Sequence, residues 1–344
     1  MDKKKVSSSI SSSTLSLKYA NMLMTREKLL EELRHLNADI LCLQEVSGKS
    51  LKETFIPGLQ RVDLECCGFA PGKSIHNAKG SYAHKAIGCA TFCRTSKFNI
   101  LHSKRVHLRD YIPLQHCQSQ SFQNDVSSHW HSMAMTLIQV KSTNQTFMVA
   151  NTHLFWNPTR PDIKAVQTWA IVNAITKFSS DVGLEKNPPL ILCGDFNTTP
   201  DMGCDLGLSS SDDPFSPSAP FEILLNGALD GNHPQHPDKW YPTLDSRYSN
   251  PRLGRLEIPY KMTHAYSIEE FREQQPLFTT KTDTYQGWID HIWINDDVDV
   301  TMVLSPTIRS GDLEANLKAR EFKPIPDRNH PSDHLPIGIV ATIK

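Results

Sequence analysis

The amino-acid sequence predicts an α/β protein, because short apolar runs typical of strands alternate along the chain with segments of helical spacing. The run "LILC" (190–193) and the run from Ile40 to Leu43 are continuously apolar, which is typical of strands covered on both faces. Between them, Asp162 to Phe178 carries apolar residues along one helical stripe and follows Pro161. Neither an internal repeat nor a linker divides the chain, so residues 19–344 are expected to form a single α/β domain.

Each further element follows from its local pattern. Leucines at helical spacing, with charged residues between them, predict a helix from Arg26 to Leu36. A short apolar helix that begins near Phe221 is predicted to end at Gly227, because glycine commonly terminates helices. Strands are predicted, in chain order, at 38–46, 86–94, 132–140, 145–153, 189–193, 287–295, 298–304 and 337–343. Polar residues and prolines predict irregular segments at 198–220 and 231–284.

The composition excludes some classes of protein. With 39% hydrophobic and 21% charged residues, the chain is typical of a globular protein with a buried core. Its net charge of -1 gives no overall basic excess, which weakens a role in coating a polyanion, although an enzyme that holds a few nucleotides in a cleft is compatible with it. No apolar stretch approaches the ~20 residues of a membrane helix, so no membrane association is expected.

The cysteines and the N-terminal residues bear on cellular location. None of the eight cysteines belongs to a C-x-x-C pair, and several lie in apolar runs, where a thiol behaves as a small hydrophobic group. We therefore expect a reducing compartment and no disulfide framework, with the cytoplasm as the first choice and the nucleus as the alternative. Residues 1–18 are serine-rich and basic but lack arginine, which favours a disordered tail over a transit peptide.

Polar side chains follow or precede the predicted strands at their ends. They are Glu45 after "LCLQ", His153 after "VANT", Asp195 and Asn197 after "LILCG", Asp290 within "WIDHIWI", and Asp333 with His334 before "LPIGIV". Polar groups gathered at one edge of buried strands form a cleft, and carboxylates with an amide are the hard oxygen ligands that suit Mg²⁺ or Mn²⁺. A histidine beside an aspartate can act on a phosphate. Taken singly, each of these residues is also compatible with a turn, a solvated acid or a paired polar group in the core.

In this order, the motifs "LQEV", "NTHLFW", "GDFN", "WID" and "SDHLP" resemble the endonuclease/exonuclease/phosphatase superfamily. The segment "VANTHLFWNPTRPDIKAVQ" is most similar to the branch of carbon-catabolite-repressor-type deadenylases, nocturnin and Angel proteins. The resemblance implies a four-layer α/β/β/α sandwich of two mixed sheets flanked by helices, with the active site at one edge. We expect its first strand to be missing, because "MDKKKVSSSISSSTLS" offers neither an apolar strand nor the metal-site asparagine that ends it in the family.

The resemblance also implies roles for the residues at the strand ends. Glu45 is expected to bind the metal with help from Asp333, and Asp195 with Asn197 to orient the attacking water and the phosphate. The other implied roles are a contact from His334 to the scissile phosphate, support of His334 by Asp290, a further phosphate contact from His153, and stacking of Tyr285 on a base. For Tyr285, packing of the loop over the cleft is an equal alternative.

The function implied by the resemblance is Mg²⁺-dependent 3′-5′ exoribonuclease activity of the poly(A) deadenylase type, with Mn²⁺ as a possible substitute. RNA, with poly(A) 3′ ends foremost, would then be the partner. The sequence contains none of the leucine-rich repeats that recruit some deadenylases to their complex. Two alternatives stay open. One is a phosphatase or phosphodiesterase acting on a small nucleotide or an RNA end, and the other is a catalytically impaired member that acts as a binding protein.

Overall fold

A six-stranded sheet and a three-stranded sheet, each covered by helices, make up the centre of the computed structural model. It describes residues 25–72, 86–114, 117–184, 186–202, 216–244, 249–304, 324–327 and 330–344. The predicted disordered tail at 1–18 lies outside the described residues, and so does the segment in which the first strand is expected to be missing. In the described part of the chain, no helix is both long enough and apolar enough to cross a membrane.

The strands of the described residues are β1 (Ile40–Ser47), β2 (Leu64–Pro71), β3 (Ile87–Arg94), β4 (Phe98–His107), β5 (Ser132–Val140), β6 (Thr146–His153), β7 (Leu190–Asp195), β8 (Ala228–Leu229), β9 (Leu256–Glu257), β10 (Thr263–His264), β11 (Thr280–Lys281), β12 (Gln286–Gly287), β13 (Asp290–Ile294), β14 (Val298–Leu304) and β15 (Gly338–Ile343). Their helices are α1 (25–35), α2 (Gly48–Ser50), α3 (Ile56–Gln60), α4 (Gln120–Ser128), α5 (Pro161–Asp181), α6 (Ala219–Asn226) and α7 (Pro237–Leu244). Between α2 and α3 the chain forms a π-helical turn, Leu51–Phe55.

The large sheet has the order β10-β13-β7-β6-β5-β4. Its one parallel pair is β6 with β7, and α5 connects these two strands. Parallel neighbours need such a crossover because a tight turn reverses the chain and would make the two strands antiparallel. The other described pairs of this sheet are antiparallel, so the sheet is mixed.

The small sheet has the order β1-β3-β2 and is antiparallel. Its outer face packs on α1 and α3 through a cluster that includes Leu30, Leu59 and Phe92. The outer face of the large sheet packs on α4, α5 and α6 through a second cluster. Cys93 and Phe147 belong to a third cluster between the two sheets. Helix, sheet, sheet and helix therefore form four layers, and the predicted sandwich fold is confirmed.

Most predicted elements are confirmed with small shifts at their ends. The helix ended by Gly227 is α6, and Gly227 takes the left-handed backbone (φ 82°) that glycine adopts without strain. Two predictions were wrong in part. The strand expected at 287–295 is divided, because Gly287 ends β12 and Asp290 begins β13. The segment 231–284, expected to be irregular, contains α7 and several short strands that pair locally.

The elements without a counterpart in the sequence prediction include β2, β4 and α4. Most residues of β4 are exposed because this strand lies at the edge of the large sheet, so an apolar period cannot mark it. β2 is also an edge strand, and a register shift between Cys66 and Gly68 interrupts its alternation. Pairing with a neighbour, and not local hydrophobicity, is what makes these segments strands.

The free edge of β1 faces a cavity of about 1640 Å³ whose opposite wall includes β15. Within the described residues, β1 pairs with β3 alone, and β15 pairs with β14 alone. The same cavity is lined by Glu45, Asp195, Asp290, Asp333 and His334. Five of the polar residues predicted at the strand ends therefore line one cavity, and His153 and Asn197 are not among its lining residues.

Gly194 should tolerate no side chain, because β6 and β7 approach closely there. A Cβ at this position would lie 2.0 Å from the carbonyl oxygen of Thr152, and φ is +151°. We predict that Gly194→Ala lowers the free energy of unfolding by about 1–3 kcal/mol or more, as overpacking does in tight interiors. Urea denaturation followed by circular dichroism measures this change.

Gly338→Ala is the matched control for this prediction. Gly338 also lies in a strand, but a Cβ there would meet its nearest neighbour, Leu304, at 3.5 Å, which is ordinary van der Waals contact. Equal stability losses in the two variants would contradict the proposed close approach at Gly194.

Candidate active site

Three neighbouring strands carry polar residues at the same level. His153 is paired in register with Asp195 across β6 and β7, and Asp195 is paired with Asp290 across β7 and β13. Nε2 of His153 lies 3.5 Å from Oδ2 of Asp195. The strand pairing thus aligns residues that are far apart in sequence in one row across the sheet.

His334 closes this row from the side. Its Nδ1 donates to Oδ2 of Asp290 at 2.8 Å, and its Nε2 lies 4.0 Å from Oδ2 of Asp195. The backbone of His334 forms an isolated bridge with Thr280, whose hydroxyl donates to the carbonyl oxygen of Asp333 at 2.8 Å. These contacts hold the segment 333–334 against β11 and direct the imidazole at the two carboxylates.

The two acids of the row, Asp195 and Asp290, have different pKa values. Burial lowers the pKa of His334, but the adjacent Asp290 carboxylate outweighs burial and raises that pKa to about 10. Burial also acts to raise the pKa of Asp290, but the His334 charge and hydrogen bond outweigh it and hold this pKa below its usual value. For Asp195, burial and then the Asp290 charge raise the pKa to about 6. Near neutral pH, His334 is therefore an imidazolium while Asp195 is close to its own titration.

The loop after β7 is fixed by hydrogen bonds around Asn197, which has left-handed backbone (φ 51°). The backbone N–H of Asn197 donates to Oδ1 of Asp195 at 2.7 Å, and its side-chain Nδ2 donates to the carbonyl oxygen of Leu154 at 3.0 Å. The buried Lys164 of α5 donates from Nζ to the carbonyl oxygen of Asn197. Asn197 is therefore held beside Asp195 by contacts with the chain after β6 and with α5.

Glu45 and Asp333 reach the same cavity from other elements. Glu45 is exposed and has left-handed backbone (φ 54°), and it lies in the irregular part of β1 between Leu43 and Val46. Asp333 is exposed and precedes His334. Both residues line the cavity together with Asp195 and Asp290. The small sheet thus contributes one acid to a site otherwise built on the large sheet and the C-terminal segment.

The donor set fits a hard divalent cation. One possible ligand atom each from Asp195, Asp290 and His334 lie within 4.8 Å of one another. The raised pKa of His334 favours an imidazolium, which has no lone pair to offer a metal, and the other donors of this group are carboxylate oxygens. Oxygen donors of this kind suit Mg²⁺, and the acids around the cavity could hold it.

Three of the predicted site residues do not line the cavity: His153 and Asn197, which adjoin Asp195, and Tyr285. Tyr285 is half-buried between β11 and β12, and its hydroxyl lies so close to Gly287 that a Cβ there would be 2.3 Å away. The cavity is lined without it. Its contact with Gly287 agrees with loop packing, and stacking on a base stays a prediction.

Sequence reasoning missed a set of buried polar residues behind the site. Asn151, within β6, is fully buried and donates from Nδ2 to the carbonyl oxygens of Leu43 (3.3 Å) and Ala90 (3.1 Å), on β1 and β3. Gln44, next to Glu45, donates to Oδ1 of Asn151 at 2.8 Å. The signal was present, because an amide inside the apolar run "FMVANTH" must find partners when buried.

A second missed group is a chain of buried imidazoles. His291 follows Asp290 and hydrogen-bonds through Nε2 to the carbonyl oxygen of Thr198 at 2.8 Å. Its Nδ1 lies 3.2 Å from Nε2 of His264, and burial lowers the pKa of both rings. Because the Thr198 carbonyl can only accept, His291 must donate from Nε2, which makes its Nδ1 the acceptor. The loop after β7 is thereby tied to β13.

The sequence pattern of the Endonuclease/Exonuclease/phosphatase family matches residues 19–334. The chain belongs to this family. It is similar to the CCR4-Not complex 3′-5′-exoribonuclease subunit Ccr4 of Aspergillus niger, with 27% identity over 93% of this chain and 47% of that protein. The corresponding subunit of Mycosarcoma maydis is 26% identical over 93% of this chain and 46% of its own length. The chain thus spans about half the length of these curated relatives.

Solved structures of the family share the fold. ANGEL2, described as a 2′,3′-cyclic phosphatase, gives a TM-score of 0.61 at 22% identity, over 90% of this chain and 84% of that one. The human nocturnin catalytic domain with bound sulfate gives a TM-score of 0.56 at 18% identity. The match covers 93% of this chain and 87% of that one. The predicted family is confirmed, and these relatives and neighbours fall in the branch that the sequence resembles. The chain is a family hydrolase with nuclease and phosphatase relatives.

Replacing Asp290 with asparagine should shift the titration of His334. The Asp290 charge holds the His334 pKa at about 10, so the imidazolium is complete below that pH and is lost as pH rises through it. We predict that Asp290→Asn moves this loss to lower pH. The shift should appear in an NMR titration of the imidazole and as an alkaline limb of kcat/KM displaced to lower pH.

Asp299→Asn is the control, because Asp299 is an exposed carboxylate on β14 outside the row. An imidazole of His334 that titrates identically in the wild type and in Asp290→Asn would contradict the pairing. Asp290 would then be a buried structural acid.

Proposed function

We propose that this chain is a metal-dependent phosphodiesterase that removes nucleotides from the 3′ end of RNA, with poly(A) as its preferred substrate. The observation that carries the proposal is the contact of His334 with Asp290 beside Asp195, within a cavity that also holds Glu45 and Asp333. An imidazolium supplies positive charge for a phosphate, and a carboxylate with a raised pKa suits proton transfer from water.

Glu45 and Asp333 are the first candidates to hold the metal, with Asp195 at the edge of the same cavity. When bound, Mg²⁺ would neutralise charge that develops on the phosphate. This assignment leaves His334 for the phosphate, because the imidazolium that Asp290 favours has no lone pair to offer a metal. Mn²⁺ has a similar preference for oxygen ligands and is expected to substitute.

The protein's own residues would bind the phosphate and accept the proton of the attacking water. His334 would bind the scissile phosphate through Nε2, which points toward Asp195 and away from its bond with Asp290. Asp195 would accept the proton of the attacking water, since a pKa of about 6 leaves it ionised but basic near neutral pH. Asn197 would orient the phosphate from the adjacent loop, and His153 would add a contact from the other side of Asp195.

RNA as the substrate class is supported by the similarity to Ccr4 exoribonuclease subunits over 93% of this chain. Because the chain covers under half of those proteins, their complex is not carried over to it. The similarity in fold to ANGEL2, described as a 2′,3′-cyclic phosphatase, motivates one competing substrate, an RNA ending in a 2′,3′-cyclic phosphate.

The decisive experiment uses a 5′-labelled RNA of mixed sequence with an oligo(A) tail. We expect stepwise shortening of the tail that depends on Mg²⁺ or Mn²⁺ and stops with EDTA. A parallel RNA with a 2′,3′-cyclic phosphate end tests the competing activity. Loss of the cyclic phosphate without shortening would replace the nuclease proposal with the phosphatase one. No reaction with either RNA at saturating metal would leave the binding-protein alternative.

Asp195→Ala should abolish most of this activity while preserving the fold. We predict a fall in kcat of about 10²–10⁴-fold, the usual contribution of a positioned acid–base group. The side chain lies at a strand end beside an open cavity, so its removal creates no sealed void. Thermal melting and steady-state kinetics measure the two effects.

Asp299→Ala serves as the matched control, since it removes an exposed carboxylate from β14. Turnover in Asp195→Ala equal to that of the control would show that Asp195 takes no part in the chemistry.

A further inference from the structure

Two cysteines on adjacent strands hold their sulfur atoms unusually close. Sγ of Cys67, on β2, lies 3.0 Å from Sγ of Cys93, on β3. A disulfide bond is about 2.05 Å long, so the two sulfurs are roughly 1 Å from bonding distance. Both are free thiols in this structure.

The strand pairing brings these two side chains to the same face of the small sheet. Cys66 is paired with Phe92, and both belong to the cluster on the outer face. Cys67 and Cys93 belong instead to the cluster between the two sheets. The register shift between Cys66 and Gly68 makes Cys67 the extra residue of the bulge, which re-aims its side chain. The neighbouring Cys66 is therefore excluded from the pair by its direction.

The pair is also placed where a small oxidant can reach it. β2 is the edge strand of the small sheet, and Cys67 is half-buried while Cys93 is 1% exposed. The hydrogen bond between the two thiols lowers the pKa of Cys67, which favours the thiolate, the nucleophilic form. Cys89, by comparison, is buried, and burial raises its pKa.

We propose that Cys67 and Cys93 form a redox-active pair that a peroxide converts to a disulfide across β2 and β3. The geometry fits no purely structural need, because buried cysteines that act as small hydrophobic groups do not require contact between their sulfurs. The pair is distinct from the phosphodiesterase site, so the inference is independent of the proposed function.

The reaction balances with a hydroperoxide as the oxidant. The Cys67 thiolate attacks one peroxide oxygen and breaks the O–O bond, which gives a sulfenic acid at Cys67 and hydroxide that is protonated to water. The Cys93 sulfur then attacks the Cys67 sulfur, forms the S–S bond and displaces hydroxide, which leaves as water with the Cys93 proton. The two sulfurs together lose two electrons, and hydrogen peroxide becomes two molecules of water.

Peptide mapping can test this linkage directly. Trypsin cleaves after Arg61, Lys73, Lys85 and Arg94, so Cys66 and Cys67 share the peptide 62–73, and Cys89 and Cys93 share the peptide 86–94. Native protein is treated with hydrogen peroxide, its remaining thiols are blocked under denaturing conditions, and the digest is analysed by mass spectrometry. We expect the two peptides joined with the loss of two hydrogen masses, and reduction by dithiothreitol should separate them.

Matched variants identify which sulfurs are joined. Cys66→Ser with Cys89→Ser leaves only Cys67 and Cys93 in these peptides and should still give the joined species. Cys67→Ser with Cys89→Ser retains Cys66 and Cys93 and should not. Fragmentation of the joined wild-type peptides assigns the bond even where a variant folds poorly.

Two results would overturn the proposal. One is the absence of joined peptides in native protein that has visibly oxidised elsewhere. The other is a linkage that involves Cys66 or Cys89 as often as Cys67 and Cys93, which is the pattern expected from urea-unfolded protein. A preference for Cys67 with Cys93 that vanishes in urea supports the pair, because only the folded sheet holds the two sulfurs together.

Discussion

The alignment of β6, β7 and β13 is the constraint on which the rest of the site depends. Backbone pairing places His153, Asp195 and Asp290 at one level, and strands lie only about 5 Å apart in a sheet. A shift of one residue in either pair would turn one of these side chains to the opposite face. Gly194 permits the close approach of β6 and β7 just before this level. The geometry of this row is therefore a consequence of strand register.

A second constraint fixes the two sheets relative to each other. The buried amide of Asn151 bonds to the backbones of β1 and β3 and accepts from Gln44, the neighbour of Glu45. Because an unpaired buried amide is costly, the small sheet is held at one position over the large one. Glu45 is thereby directed to the cavity that holds Asp195. The two acids of the site then differ in pKa, because the His334 imidazolium lowers the pKa of Asp290 while burial raises the pKa of Asp195.

Much of the fold could be predicted because interior strands have a local signature. The runs that became β1, β6 and β7 are apolar on both faces, as strands between two layers must be. The edge strands β2 and β4 carry no such signature, since most residues of β4 are exposed and a register shift interrupts the alternation of β2. The division of 287–295 into β12 and β13 depends on pairing with two different partners, β11 and β7. No local sequence pattern indicates which neighbouring strand a segment will pair with.

The sequence by itself determined the family, because carboxylates, an amide and histidines at strand ends, in the order of five motifs, resemble the endonuclease/exonuclease/phosphatase pattern that matches residues 19–334. Tertiary structure alone decided which of these groups touch. It paired His334 with Asp290, set the pKa of Asp195 near 6, and left Tyr285 packed on Gly287 outside the cavity wall. The physical reason is that pKa values and hydrogen bonds depend on burial and distance, and both arise only when distant strands come into register.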